Sequence, residues 1–399
     1  MKPIARYAVI AFLSMLIGCI DPIAPRFNLT ADVLVVDGTI TDRAEPQRIR
    51  LNRSAADRFT GRFGDTPLTG ARVTVRVNDD ETITAREVSP GTYQLPDGFR
   101  GRVGNRYQLQ LELADGMRYA SSTETMPAVS PILTTTDVYN PRSLTGQLSP
   151  LTAANDLFID TQDPAGTPNY YRWDWVLWEK QDFCQTCGND QVYYERDDAG
   201  NLVEKCMPNR IVPLPFPRPQ NIDYECRTQC WEILYSSQLS LFSDALSDGK
   251  RITNRRVAQI PFYQYYPALV EIRQSALTAE AYRYFRRLDE QSQQTGGLTD
   301  TPPAAPVGNI RNLSNDREEV VGYFTASGVS AVRYWLTRRN VTNELPASPA
   351  DPDRPKLFTY LNGRTPYKEP VSGIRGRPPL ALCVPGPTRT PIKPEGWQE

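Results

Sequence analysis

Histidine is absent from all 399 residues of the chain. Ser-His-Asp and Cys-His catalysis, HExxH zinc hydrolysis and any imidazole general base or pH switch are therefore excluded. Also missing are a GxxxxGK[ST] phosphate loop, a strand-linked GxGxxG and a calcium loop of EF-hand spacing. Charge of one sign is not in excess: the net charge is −1, so nothing points to nucleic acid or an anionic surface. What survives is carboxylate chemistry, because a glycosidase needs only two acidic side chains about 5 to 10 Å apart. The local doublets Asp79-Asp80, Asp197-Asp198 and Glu318-Glu319 sit among turn residues, however, and read as solvated surface.

Long apolar runs are also lacking, apart from one short stretch at the N-terminus. Tyr7 to Gly18 follows Lys2 and Arg6 and ends in Leu16-Ile17-Gly18-Cys19. It is too short to span hydrocarbon, which takes roughly 20 residues, and it has the layout of a bacterial lipoprotein signal. The expectation is cleavage of residues 1–18 and acylation of Cys19, with residues 19–30 as an extended tether. Several acyl chains hold far more firmly than one. An ordinary secretory signal with a coincidental cysteine is the competing reading. The mature chain of 381 residues exceeds what one core usually serves, so two domains are expected.

Residues 31–127 alternate as strands do. Val33 to Thr41, Arg48 to Arg53, Ala71 to Val77, Thr82 to Val88, Thr92 to Leu95, Tyr107 to Leu113 and Arg118 to Thr125 are predicted strands. Turn residues separate them at Asn78-Asp79-Asp80, Ser89-Pro90-Gly91, Asp97-Gly98 and Ala114-Asp115-Gly116. Seven short strands fit a sandwich. Through Gly38-Thr39-Ile40-Thr41-Asp42 and Pro67-Leu68-Thr69-Gly70-Ala71-Arg72-Val73 the segment resembles immunoglobulin-like and transthyretin-like modules, a likeness that does not specify function.

Residues 128–345 read as a larger β-rich domain with a Cys-rich insertion at 184–230. In the strand from Tyr170 to Lys180, Tyr171, Trp173, Trp175 and Leu177 share one face. That row is either sandwich core or a sugar-stacking platform, and the polar opposite face favours core. Thr278 is placed to cap a helix of about four turns with Ala281, Phe285 and Leu288 on its buried stripe, stopping by Gly296-Gly297. Strands are predicted at Val320 to Ala326 and Val329 to Leu336. Proline, 35 residues in all, is concentrated in connections and in a Pro-rich arm, 346–399. Phe216, Tyr263, Tyr265 and Tyr266 lie on such loops and are candidates for a partner or ligand surface.

Six cysteines remain beyond Cys19: Cys184, Cys187, Cys206, Cys226, Cys230 and Cys383. In an exported chain without histidine they point to disulfides rather than zinc, and no metal or other cofactor is expected. Six cysteines allow 15 pairings. The expected tail bridge joins Cys383 to Cys226 or Cys230.

Several ordered pieces carry a family resemblance. They are Cys19 followed by Asp21-Pro22, Leu34-Val35-Val36-Asp37-Gly38-Thr39-Ile40-Thr41, Cys230-Trp231 and Ser275-Ala276-Leu277-Thr278-Ala279-Glu280-Ala281-Tyr282. Pro302-Pro303, Gly308-Asn309-Ile310 and Val321-Gly322-Tyr323-Phe324-Thr325-Ala326-Ser327 complete the series. In these the chain resembles the Bacteroidota lipoproteins that carry domain of unknown function 4249. It departs from them at the end, where a lone Cys383 precedes Lys393-Pro394-Glu395-Gly396-Trp397. The resemblance implies an outer-membrane lipoprotein encoded beside a TonB-dependent transporter and serving it as a substrate-capturing or lid-like accessory; the lack of any catalytic constellation leads to the expectation that it is not an enzyme. Ile20 after Cys19 agrees with outer-membrane sorting by analogy with better-known Gram-negative bacteria. Its ligand would be a small nutrient, glycan or peptide. A carboxylate-dependent glycan hydrolase and a structural or adhesive envelope protein are the alternatives.

Overall fold

The computed structural model describes residues 33–56, 63–144, 153–185, 192–196, 200, 202–206, 222–262, 264, 266–292, 307–340, 365–367 and 382–399. The signal segment, Cys19 and the tether lie outside them. The fold is mainly β, with Ala279–Ser292 as the one helix among the described residues. In Val33–Thr41 the buried positions are Leu34, Val36, Gly38 and Ile40, the period-two pattern of a strand with one face on a core. This strand pairs antiparallel with Arg48–Ala56, and that sheet continues through Thr92–Gln94. A second sheet, centred on Arg72–Val77 and Arg106–Glu112, packs against it around Val73, Val75, Leu109 and Leu111.

The predicted strand Thr82 to Val88 is divided at Ala85. Glu81–Thr84 pairs in one sheet and Arg86–Ser89 in the other, so the chain changes layer within a single apparent run. Both sheets also recruit strands from far downstream. Ile310–Asn312 pairs with Arg118–Ser121, and Val320–Ser327 runs parallel to Val33–Thr41. The quoted Gly308-Asn309-Ile310 motif has its physical reason here. The Asn309 side chain accepts the Phe324 N–H and donates to the Phe324 carbonyl, both at 2.9 Å, as a neighbouring strand would.

The second sandwich packs a sheet of Ile132–Asn140, Ala154–Gln162 and Arg251–Pro261 on one centred on Tyr170–Lys180 and Ala268–Leu277. Trp173 is 1% exposed, and its indole N–H donates to Gln274 at 2.8 Å. Gln274 in turn donates to the Ser130 carbonyl, so this buried amide is satisfied on both ends. At the contact between the sandwiches, Glu271 takes Arg43, Arg273 and Arg333 at 3.1, 2.8 and 3.0 Å.

Thr278 caps the helix as expected, its hydroxyl accepting the Ala281 N–H at 3.2 Å. The same hydroxyl donates to Glu124 at 2.7 Å, and Tyr323 donates to the other Glu124 oxygen at 2.9 Å. Glu124 thus ties the first sandwich to the helix and to Val320–Ser327. It is 3% exposed, and burial pushes its carboxyl above the ordinary value despite those donors. A carboxyl raised in the folded state binds protons more tightly there than in the unfolded chain. Stability is therefore expected to fall as pH rises from about 4.5 through the raised value, and Glu124→Gln is expected to flatten that slope. Urea midpoints measured across pH 4 to 8 for both proteins check this.

Disulfides join Cys184 to Cys226 and Cys230 to Cys383. Cys187 lies outside the described residues, and only the backbone of Cys206, in Leu202–Cys206, is described. The tail from 382 is integrated rather than loose. Arg389–Thr390 pairs with Trp231–Tyr235, Arg389 binds Glu232 at 2.8 Å, and Trp397 packs edge-on against Trp231 and Trp335.

Candidate functional site

A β-bulge shapes one wall of a cavity in the second sandwich. In Arg251–Pro261, Arg256 pairs with Phe158 and Ala258 with Leu157, leaving Val257 as an extra residue. Bulges of this kind re-aim neighbouring side chains and recur beside functional sites. Here the bulge follows two consecutive arginines, Arg255 and Arg256, at the rim of a cavity of about 770 Å³. Trp173 and Trp175 from Tyr170–Lys180 form one wall, Tyr235 and the segment 237–241 another, and Gln259 part of a third. The volume lies within the range of about 300 to 1,000 Å³ common for small-molecule sites.

The arginines are held differently. Arg255 lies 5.4 Å from the Trp173 ring centre and 5.6 Å from that of Phe242, and it donates to the Leu241 carbonyl at 3.2 Å. Burial, with the charge of Arg256 beside it, lowers the pKa of this guanidinium. Its Nε is enclosed and has no acceptor. Arg256 reaches Asp156 at 3.6 Å, and Asp156 also accepts from Asn140 and Ser143. Gln259 donates to the Ser143 carbonyl and hydroxyl at 2.8 and 2.7 Å, which fixes the loop at the cavity edge.

Of the predicted aromatic row, Trp173 is core and only its edge borders the cavity, whereas Trp175 is half-buried there. A second cleft of about 480 Å³ lies between the sandwiches and shares Trp173, Trp175, Tyr235 and residues 237–239 with the first. Asp174 lines it with Glu45, Arg48, Arg50 and Arg273; burial pushes the Asp174 carboxyl up against the pull of Arg172 and Arg273. Tyr266, 59% exposed, sits instead at a third depression with Trp335 and Trp397. Phe216, Tyr263 and Tyr265 lie outside the described residues.

Three carboxylates absent from the sequence expectations, Asp163, Asp244 and Asp248, have oxygens within 4.8 Å of one another. Each already accepts a hydrogen bond, from Tyr171 and Gly249, from Asn169, and from Gly166 respectively. The arginine pair was also missed in the sequence. Its available signal was Arg255 at the same parity as the apolar Val257, which opens the strand-like run that follows.

None of the curated proteins compared matches the chain. The described residues that line the cavity all lie within 20–333, the stretch that matches the family model described as domain of unknown function (DUF4249), and the chain belongs to that family.

Proposed function

We propose that this protein is a lipid-anchored outer-membrane lipoprotein that works by binding, holding a ligand at the open end of its second sandwich for a TonB-dependent transporter. The observation that carries the reading is the 770 Å³ cavity, whose walls combine aromatic faces with guanidinium and amide groups. Among the described residues that line it, only Asp289 is acidic, whereas hydrolysis of a glycoside takes two carboxylates. The lipobox ending in Cys19 supports the anchor.

The test is affinity purification of the tagged full-length protein from gently solubilised membranes. A TonB-dependent barrel is expected to co-purify, and Cys19→Ala is expected to move most of the protein from the membrane to the soluble fraction. Repeated recovery without a barrel counts against the partnership. A hydrolase is the competing reading, favoured by the raised Asp174 carboxyl in the cleft between the sandwiches. Release of reducing ends from polysaccharides by the same preparation would establish it instead.

A further inference from the structure

Compensation of charge around Arg255 is incomplete. Among the described residues no carboxylate pairs with it: its polar contact is the neutral Leu241 carbonyl, and the charge that acts on it is a second cation, Arg256. The rings of Trp173 and Phe242 cover it and shield its Nε from any acceptor. A half-buried guanidinium is costly unless an anion answers it. Arg256 is not that answer, and its own partner Asp156 is already shared with Asn140 and Ser143. Two guanidinium groups and one carboxylate, Asp289, therefore border a cavity whose remaining walls include Phe158, Trp175 and Tyr235.

We infer that the cavity receives an organic anion, a carboxylate carried on a flat or apolar body, with Arg255 binding the carboxylate and Trp175 and Tyr235 packing on the body. The inference rests on the binding role proposed above and adds the chemical class of the ligand. Guanidinium groups match carboxylates in geometry and charge, and aromatic walls favour a ligand with an apolar face. A bare inorganic anion would leave those walls wet. The carboxylate could belong to a free small acid or to the C-terminus of a short peptide, and both offer the same chemistry to Arg255.

The experiment uses the full-length lipoprotein in detergent, titrated by calorimetry and by quenching of tryptophan emission. The probes are indole-3-acetate and Gly-Gly-Trp, each with its neutral amide, and inorganic phosphate. At least one acid is expected to bind about tenfold more tightly than its amide, as a charge-assisted hydrogen bond implies, and phosphate is expected to bind more weakly than that acid. Whichever acid binds identifies the source. Arg255→Gln is expected to abolish the difference between acid and amide, while Arg255→Lys retains part of it. Amides binding as tightly as acids would overturn the anion assignment while leaving ligand capture standing. Binding of no probe, in a preparation that still recovers a transporter barrel, would overturn the assignment and leave the partnership intact.

Discussion

Replacing Gly322 with alanine is expected to destabilise the protein by more than about 4 kcal/mol, a loss reserved for a few structural mechanisms. Gly322 sits in Val320–Ser327 at φ +102°, a backbone conformation that L side chains rarely adopt. A Cβ there would stand 1.9 Å from the carbonyl oxygen of Val36, on the strand it pairs with, so it would meet backbone rather than a movable side chain. No rotamer change relieves it. Either the parallel pairing with Val33–Thr41 opens or the strand shifts, and both expose Leu34, Val36 and Phe324, which are fully buried. Gly308 is the companion position, where a Cβ would meet the Gly322 carbonyl oxygen at 1.5 Å. Gly98→Ala is the control, since its φ is +80° but its Cβ meets nothing within 4 Å; it is expected to cost about 1 kcal/mol. Urea unfolding of the variants compares them directly. A loss at Gly322 no greater than at Gly98 would show that the close approach of the two strands does not matter to stability.

Arg338→Leu is expected to cost about 3 to 5 kcal/mol, because it strands a buried carboxylate. Arg338 and Glu179 form a two-pronged ion pair with both side chains wholly buried, and Arg338 also donates to the Tyr266 carbonyl at 2.6 Å. Gln264 donates to Glu179 at 2.6 Å as well. The pair holds the end of Val329–Leu336 against Tyr170–Lys180, and it does so although Arg338 adopts φ +56°. Removing only the arginine leaves Glu179 charged and desolvated. Removing both charges in Arg338→Leu with Glu179→Leu is expected to recover most of the loss, since replacing a whole buried pair by apolar groups is often close to neutral. A double-mutant cycle from chemical denaturation gives the coupling. If the double variant is as unstable as the single, packing rather than charge accounts for the effect.

Local regularities made much of the fold legible, and distance in sequence hid the rest. The alternation from Val33 to Thr41 and from Tyr107 to Leu113 is a direct consequence of one buried face, so it could be read residue by residue. Thr278 with the stripe Ala281, Phe285 and Leu288 gave the helix for a comparable reason. At Ala85 the layer change leaves no Gly, Pro or Asn as punctuation, and Thr82, Ile83, Thr84 and Val88 on either side are good strand formers. Phe63–Pro67 carries Gly and Pro and reads as a connection, although it pairs with Arg48–Ala56. The cavity was hidden by a different cause. Arg255 and Arg256 lie among polar residues, and the bulge at Val257 that positions them leaves no trace in composition. The family motifs could be recognised in order, whereas the close approach of Gly308, Gly322 and Val36 that explains two of them needs the folded chain.

Synthesis proceeds from the N-terminus, and this gives the pairing of Val33–Thr41 with Val320–Ser327 a temporal meaning. Until residue 327 has been made, the first strand carries a row of unanswered backbone donors and acceptors along one side. Such an edge invites pairing with another nascent chain. The nascent molecule must therefore be kept from its neighbours through most of its production, and the half that begins first is among the last to close.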